Sequence, residues 1–288
     1  MHTDTPSASG AGTLFIVATP IGNLDDLSRR AEQVLASVDL VAAEDTRHSG
    51  RLLQHLGVSK AMWPLHDHNE RARSDALLER IAGGESVALI SDAGTPLISD
   101  PGYVLVRAAR QRGIRVVPVP GACAMVAALS AAGLPTDRFL FAGFLPAKAV
   151  ARGKVLESLS REVATLVFYE SPRRVVALLE DVRSALGAER EVVLARELTK
   201  AFETWYAGSV ADVIEALHAD AHSGKGEYVV MVSGAPSSGQ GPVAVDGDRV
   251  LSLLIAELPL KKAVKVAAEL TGLARNDLYQ RALELKDG

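Results

Sequence analysis

The chain has 288 residues, 48% of them apolar and 23% charged, which is material for two compact domains or one large one. Its net charge of −4 argues against a protein that coats bare nucleic acid, though local basic patches remain open to it. One cysteine, Cys123, excludes an internal disulfide and a cysteine-built metal site, and no run of eighteen apolar residues marks a membrane span.

Residues 1–12 are polar and small, without the basic and apolar regions of an export signal, and read as a disordered leader of a cytoplasmic protein. Thr13 to Ala18 is an apolar strand that runs into Pro20 and Gly22, and Asp25 or Asp26 can start a helix carrying Leu27, Ala31, Val34 and Leu35. Val38 to Ala43 reads as a second strand with Glu44, Asp45, Arg47 and His48 at its tip, followed by a helix from Gly50 to Leu56 capped by Asp45 or Thr46. His66-Asp67-His68-Asn69-Glu70 follows the apolar piece Met62 to Leu65. Its i, i+2 histidines lack strong zinc spacing, so a polar contact or a helix start outranks a metal site there.

A helix over Ala72 to Ala82 leads to VALISDAGTPLISDPG, Val87 to Gly102, the stretch around which the chain is organised. It is a buried strand, a stiff glycine-bearing loop, and then a helix from Tyr103 to Arg112. That is the order in which parallel sheets build a ligand crevice at their carboxyl ends, and the loop is too long and polar for a mere connection. Arg115 to Val119 is a further strand, and Met125 to Leu134 a helix of small residues able to pack close to a sheet or a ligand. Alternating strands and helices over Thr13 to Ala132 predict an α/β layer with a mainly parallel sheet.

The texture changes over Leu134 to Lys154, which shows little periodicity. The expected division is an N-terminal α/β domain over 13–122 and a second α/β domain over 123–234. In the latter, Ala164 to Phe168, Glu191 to Ala195 and Gly226 to Val232 read as strands, Trp205 to Gly208 as a short strand or turn, and Val175 to Leu186 and Val210 to Leu217 as helices. Pro172 suits the first turn of the Val175 helix. Residues 235–247 read as a flexible linker to a helical module over 248–288 whose last helix has Asn276 as its cap. Lys261, Lys262, Lys265 and Arg275 make that module a nucleic-acid-binding or docking element or, equally, a dimerisation or packing appendage.

GxGxxG after the first strand, GxxxxGK[ST] and GxSxG are all absent, which removes NAD-type binding, P-loop phosphate transfer and the serine-hydrolase elbow. Several polar, glycine-bearing strand ends without an obvious nucleophile suit group transfer from an already activated donor.

ATPIGNLDDLS (Ala18 to Ser28), AEDTRHS (Ala43 to Ser49), HDHNE (His66 to Glu70), SDAGTPLISDPG (Ser91 to Gly102), YESPRR (Tyr169 to Arg174) and RELTK (Arg196 to Lys200) occur in this order. The set resembles the tetrapyrrole methylase superfamily and, within it, the ribosomal RNA small subunit methyltransferase I family, over about Thr13 to Gly234 and on into LPLKKAVKVAAELTG. The resemblance implies two α/β domains with a cofactor cleft between them, a homodimer, and S-adenosylmethionine as methyl donor. The acceptor would be the 2′-hydroxyl of a cytidine in 16S rRNA of the small ribosomal subunit. Matched motif by motif, Pro20, Ile21, Gly94, Thr95, Ile98, Cys123, Ala124, Phe168, Tyr169, Glu227 and Tyr228 would contact the cofactor. Relatives often carry Pro-Ser where this chain has Ala122-Cys123, and a histidine where Arg173 stands.

A sulfonium donor leaves the enzyme to align a ribose hydroxyl and take its proton. Asp100, Glu44 and Glu170 are the candidate bases, and Arg47 and Arg173 the candidate orienting cations. Helix caps and ion pairs between domains are the plain structural alternatives for each. The competing functions are methylation of a tetrapyrrole or other small molecule on the same fold, and a non-enzymatic RNA-binding assembly factor.

Overall fold

The computed structural model describes residues 12–66, 69–236, 247–271 and 273–287. The first eleven residues of the predicted leader and most of the predicted linker lie outside the described residues, as do Asp67 and His68; Gly12, the last leader position, is instead buried, its amide donating to Ile81 O at 2.8 Å. The chain divides into two compact units, one reaching Ala235 and one from Pro236 onward.

The first unit begins with strands β1 (Thr13–Val17), β2 (Leu40–Ala43), β3 (Ala61–Pro64), β4 (Val87–Ile90) and β5 (Arg115–Val119). They form one sheet in the order β3-β2-β4-β1-β5, and every pairing in it is parallel, as the alternation with helices predicts. Helices α1 (Arg29–Ser37), α2 (Thr46–His55), α3 (Glu70–Ala82) and α4 (Tyr103–Gln111) cover it. The period of two along each strand divides the core. Leu40, Ala42, Val87 and Leu89 pack with Leu77, Leu78 and Leu105 on one face. Val41, Ala43, Ala88 and Ile90 pack with Val34, Leu35 and Leu53 on the other. The cap of α1 is Ser28, not Asp25 or Asp26, because those two occupy a 3₁₀ turn started by Asn23. Helix α2 starts at Thr46 rather than Gly50, with Asp45 accepting from the Arg47 amide as its cap.

After α5 (Ala124–Ala131) comes a second sheet of β6 (Phe139–Phe144), β7 (Thr165–Glu170), β8 (Glu191–Arg196), β9 (Thr204–Ser209) and β10 (Tyr228–Val232), in the order β6-β7-β10-β8-β9. Only β6 and β7 run parallel; the other pairings are antiparallel. Helices α6 (Ala149–Ser158), α7 (Val175–Leu186) and α8 (Val210–Ala219) pack on one face around Phe168, Leu178, Leu194 and Ile214. The small-residue helix α5 packs on the other face, against Val167, Val193, Val229 and Met231. Strand β6 and helix α6 lie in the stretch read as lacking periodicity. Strand β6 is an edge whose side chains are mostly exposed, so no polar and apolar alternation marks it. Pro172 sits in the turn ahead of α7 rather than in its first turn.

In the second unit, α9 (Gly247–Glu257), α10 (Leu260–Thr271) and α11 (Arg275–Asp287) enclose a small core of Leu251, Val264, Ala267, Leu278 and Ala282. Asn276 lies inside α11 instead of capping it. Among the described residues no helix is long and apolar enough to cross a membrane.

The HDHNE stretch has a structural use. Asn69 Oδ1 accepts from the His66 amide at 2.9 Å, and its Nδ2 donates to the Pro64 carbonyl at 3.2 Å. The buried Glu70 Oε1 accepts from the backbone amides of Gly102, Val104 and Leu105 at 3.0, 2.8 and 3.3 Å. One carboxylate therefore satisfies the open N-terminus of α4, which Gly102 has no side chain to cap, and ties the 91–102 loop to α3. Glu70→Ala leaves three buried donors unmet, a cost of about 2–3 kcal/mol. Thermal unfolding should show Tm lower by roughly 5–10 °C; an unchanged Tm would remove Glu70 as the anchor of the loop.

Candidate active site

The loops that follow β1 and β4 leave neighbouring strands at the carboxyl edge of the parallel sheet, the usual crevice of such folds. They are pinned to each other. The Thr19 amide donates to Gly94 O at 2.8 Å, the Gly94 amide donates to Thr19 O at 3.1 Å, and Thr19 Oγ1 donates to Ser91 O at 3.2 Å. Gly94 has φ +85°, and a Cβ there would lie 3.3 Å from Ile21 Cγ2, so the position favours glycine on both conformational and steric grounds. Thr95 Oγ1 donates to Ala122 O at 2.9 Å and brings the loop after β5 into the same cluster.

The second sheet closes the other side. A cavity of about 450 Å³ is lined from the first sheet by Ile21, Glu44, Asp92, Gly94, Thr95, Ile98, Asp100, Cys123 and Ala124, and from the second by Phe144, Tyr169, Glu170, Leu198, Lys200, Glu227 and Tyr228. Its size falls within the roughly 300–1,000 Å³ common for small-molecule sites. Left-handed backbone occurs at the lining residue Ser99 (φ 67°), at Leu97 (φ 72°) beside the lining residue Ile98 and, among the loops of the second sheet, at Glu197 (φ 54°) and Thr199 (φ 64°) on either side of the lining residue Leu198. Among the described residues these are the only non-glycine residues with positive φ, and strain of this kind collects where a ligand fixes the backbone.

Of the residues singled out from sequence, thirteen of the sixteen roles meet at or beside this cavity and the exceptions have plain causes. Ile21, Gly94, Thr95, Ile98, Cys123, Ala124, Tyr169, Glu227 and Tyr228 line it, with the carboxylates Glu44, Asp100 and Glu170. Pro20 is next to the lining residue Ile21 without lining it, and is half-buried. Phe168 does not reach it: on β7 its side chain points to the opposite face from Tyr169 and is fully buried among α7 and α8. Arg47 projects from α2 with its side chain 90% exposed and pairs with Asp45 at 3.2 Å. Arg173 is exposed in the turn before α7, and its neighbour Arg174 approaches Glu170 at 3.1 Å instead. Asp92, Phe144, Leu198 and Lys200 line the cavity and were not singled out. Lys200 ends the RELTK motif, which was the available signal, whereas Phe144 sits in the stretch without periodicity.

Lys200 Nζ donates to Glu197 Oε1 at 2.7 Å and Glu227 Oε2 at 3.1 Å. Burial works against its charge, but the two carboxylates outweigh burial and hold the ammonium above its usual range. A Cβ at Gly22 would lie 2.3 Å from Lys200 Cγ, so the first loop admits the lysine stem only because residue 22 is glycine. Glu170 accepts from the Ser171 amide at 2.7 Å, while its buried Oε2 has no hydrogen-bond partner despite the nearby Arg174 charge. Tyr169 Oη accepts from the Met125 amide at 3.0 Å, and Phe141 and Phe144 meet its ring edge-on at 4.9 and 5.7 Å. Glu44, Asp92, Asp100, Glu170 and Glu227 outnumber Lys200, so the cavity favours a cationic guest.

Residues 13–237 match the family model of tetrapyrrole (corrin/porphyrin) methylases, and residues 241–286 match that of the RsmI C-terminal HTH domain. Among curated proteins, the chain is similar to ribosomal RNA small subunit methyltransferase I of Pseudomonas aeruginosa, at 57% identity over 95% of this chain and 98% of that protein. The protein of the same name from Escherichia coli is 52% identical over 95% of each chain. Solved structures share the fold at lower identity. Diphthine synthase superposes with a TM-score of 0.59 at 16% identity, over 77% of this chain and 94% of that one. Uroporphyrin-III C-methyltransferase from Thermus thermophilus, complexed with S-adenosylhomocysteine, gives 0.52 at 18% identity, over 76% of this chain and 97% of that one.

Burial first, with the Cys123 and Asp100 side chains nearby, pushes the Tyr169 phenol up to about 12 from an ordinary 10.0. Between those values the unfolded chain loses this proton and the folded one keeps it, so Tyr169 adds stability below pH 10 that is lost as pH rises through the window. The phenolate absorbance difference between the protein and Tyr169→Phe should accordingly be absent near pH 10 and grow only toward pH 12. Growth centred at 10 would place the ring in water.

Proposed function

Because this chain belongs to the tetrapyrrole methylase family, and within it to the ribosomal RNA small subunit methyltransferase I family, we propose that it is an rRNA methyltransferase. In this reading it moves the methyl group of S-adenosylmethionine to the 2′-hydroxyl of a cytidine in 16S rRNA. The single observation that carries the donor assignment is the acidic, two-walled cavity around Gly94. Its residues fit the group: at Gly94 a Cβ would press on Ile21 at 3.3 Å, so the glycine keeps the loop backbone open to a ligand, and the carboxylates that line the cavity favour a sulfonium. Ile21, Gly94, Thr95, Ile98, Cys123, Ala124, Tyr169, Glu227 and Tyr228 would hold it.

When bound, the sulfonium supplies a methyl group that needs no further activation. The chain's own residues then have two tasks, to bring the acceptor hydroxyl into line and to receive its proton. Asp100 and Glu44 are the carboxylates proposed for the proton, since both line the cavity on the side of the parallel sheet. Glu170 is read instead as a structural group, being committed to the Ser171 amide and the Arg174 charge. An rRNA substrate, in turn, places the protein where ribosomes are, in the cytoplasm. The net charge of −4 suits an assembled small subunit, with its folded contacts, better than free RNA.

A homodimer completes the reading. Residues 135–144 and 147–150 are mostly exposed, and they include Phe139, Leu140, Phe144 and Val150 on and beyond the edge strand β6. An apolar edge of that kind is normally covered, and a second copy supplies the same surface in return.

Titration calorimetry on the full chain should detect S-adenosylmethionine and its demethylated product; absence of both from folded protein would sink the donor assignment. Tritiated donor should label small subunits lacking the modification more than free 16S rRNA, at a nucleotide whose 3′ bond then resists alkali. Label on a small molecule alone would favour the tetrapyrrole-type alternative. Asp100→Asn should lower kcat by about 10²–10⁴-fold while donor affinity stays within a few-fold; retention of kcat would move the proton to Glu44. Light scattering should give twice the chain mass, and Phe139→Asp half of that value.

A further inference from the structure

A shallow groove adjoins the cavity and shares Lys200 with it. The first loop from Gly22 to Asp25, His55 at the end of α2 and the loop from Thr199 to Phe202 form its walls. Phe202 is 78% exposed there, and Leu24 lies on the facing loop. Phe202 is not a loose tip. The Lys200 amide donates to Glu197 O at 3.0 Å, the Glu203 amide to Lys200 O at 3.1 Å, and the Thr199 amide to Glu203 Oε2 at 2.7 Å. Trp205 Nε1 donates to the other Glu203 oxygen at 3.0 Å. A fixed turn, left-handed at Glu197 and Thr199, thus holds a large aromatic ring in water, where neither solvation nor backbone preference would put it.

Helix α2 connects the two hollows. Glu44 before its start lines the cavity, and His55 at its end lines the groove. Between them Arg47, Arg51 and His55 fall at i, i+4 and i+8 on one face, and all are exposed. The like charges Arg47 and Arg51, one turn apart, destabilise a helix, and of the two only Arg47 pairs with an acid among the described residues, Asp45 at 3.2 Å, so helix stability does not account for them. Guanidinium groups in line beside a rigid exposed ring match the chemistry of single-stranded RNA, with phosphates for the cations and an unstacked base for the ring.

We propose that the groove and the Arg47–Arg51–His55 face of α2 form the acceptor platform, where a base flanking the target nucleotide stacks on Phe202 and its backbone runs along α2. The proposal rests on the rRNA reading above and adds the path of the strand. The test uses the full chain, small ribosomal subunits and saturating S-adenosylmethionine, with wild type, Phe202→Ala, Phe202→Trp, Phe202→Leu and Arg51→Ala. Donor affinity by calorimetry should be the same for all five, which also shows that they are folded. Phe202→Ala should raise KM for subunits by about 10-fold, within the range for loss of one stacked base, with kcat changed less than KM. Phe202→Trp should restore KM and Phe202→Leu should not. Arg51→Ala should raise KM and reduce its dependence on log salt by roughly 0.7–0.9. Wild type that binds donor but leaves subunits unmethylated overturns the rRNA reading and this platform with it. Active wild type with KM unmoved by Phe202→Ala and Arg51→Ala overturns the platform alone. Restoration by Phe202→Leu equal to that by Phe202→Trp would show an apolar protein contact in place of a stacked base.

Discussion

The reciprocal backbone pair between Thr19 and Gly94 is the constraint on which the site depends. Loops leaving a parallel sheet have no partner of their own and would otherwise move independently. Here two amides and the Thr19 hydroxyl make the ends of β1 and β4 one rigid ledge, and Thr95 extends it to the loop after β5. Glu70 fixes the far end of the same loop from beneath, through three amides at the start of α4. The strained residues Leu97 and Ser99 lie between these two anchors, which is the arrangement that lets a protein keep unfavourable backbone in place.

Much of this was legible in the residues, and the failures have causes. Strands β2 and β4 are buried throughout and, like β1 and most of the edge strand β5, read as apolar runs, so their pairing into a parallel sheet followed. Strand β6 was invisible because an exposed edge carries no alternation, and Phe144 was lost with it. The misplacement of Phe168 has a different origin: motif matching names adjacent residues, while a strand sends adjacent side chains to opposite faces, so Tyr169 lines the cavity and Phe168 fills the core. The role of Glu70 could not be read from spacing either, since its partners lie more than thirty positions away.

Charge is sorted on a finer scale than the total of −4 conveys. The cavity collects carboxylates from both sheets, and a few residues away α2 carries a basic row into solvent. The proposed cationic donor and anionic acceptor call for opposite fields at short range, and a chain of nearly balanced composition supplies both by placement alone. Two pairs with buried arginines, Arg152 of α6 with Asp181 of α7 at 2.6 Å and Arg196 of β8 with Asp220 at 2.9 Å, belong to the packing around the second sheet and stand apart from this division.

Lys200 belongs to both hollows at once, its ammonium shared between Glu197 and Glu227 and its stem passing over Gly22. A guest that drew on either carboxylate would change how firmly the lysine is held, at an edge that both hollows share. By thermodynamic reciprocity the influence is equal in both directions. Cooperativity between two different ligands can therefore reside in one side chain, with no movement of either lobe.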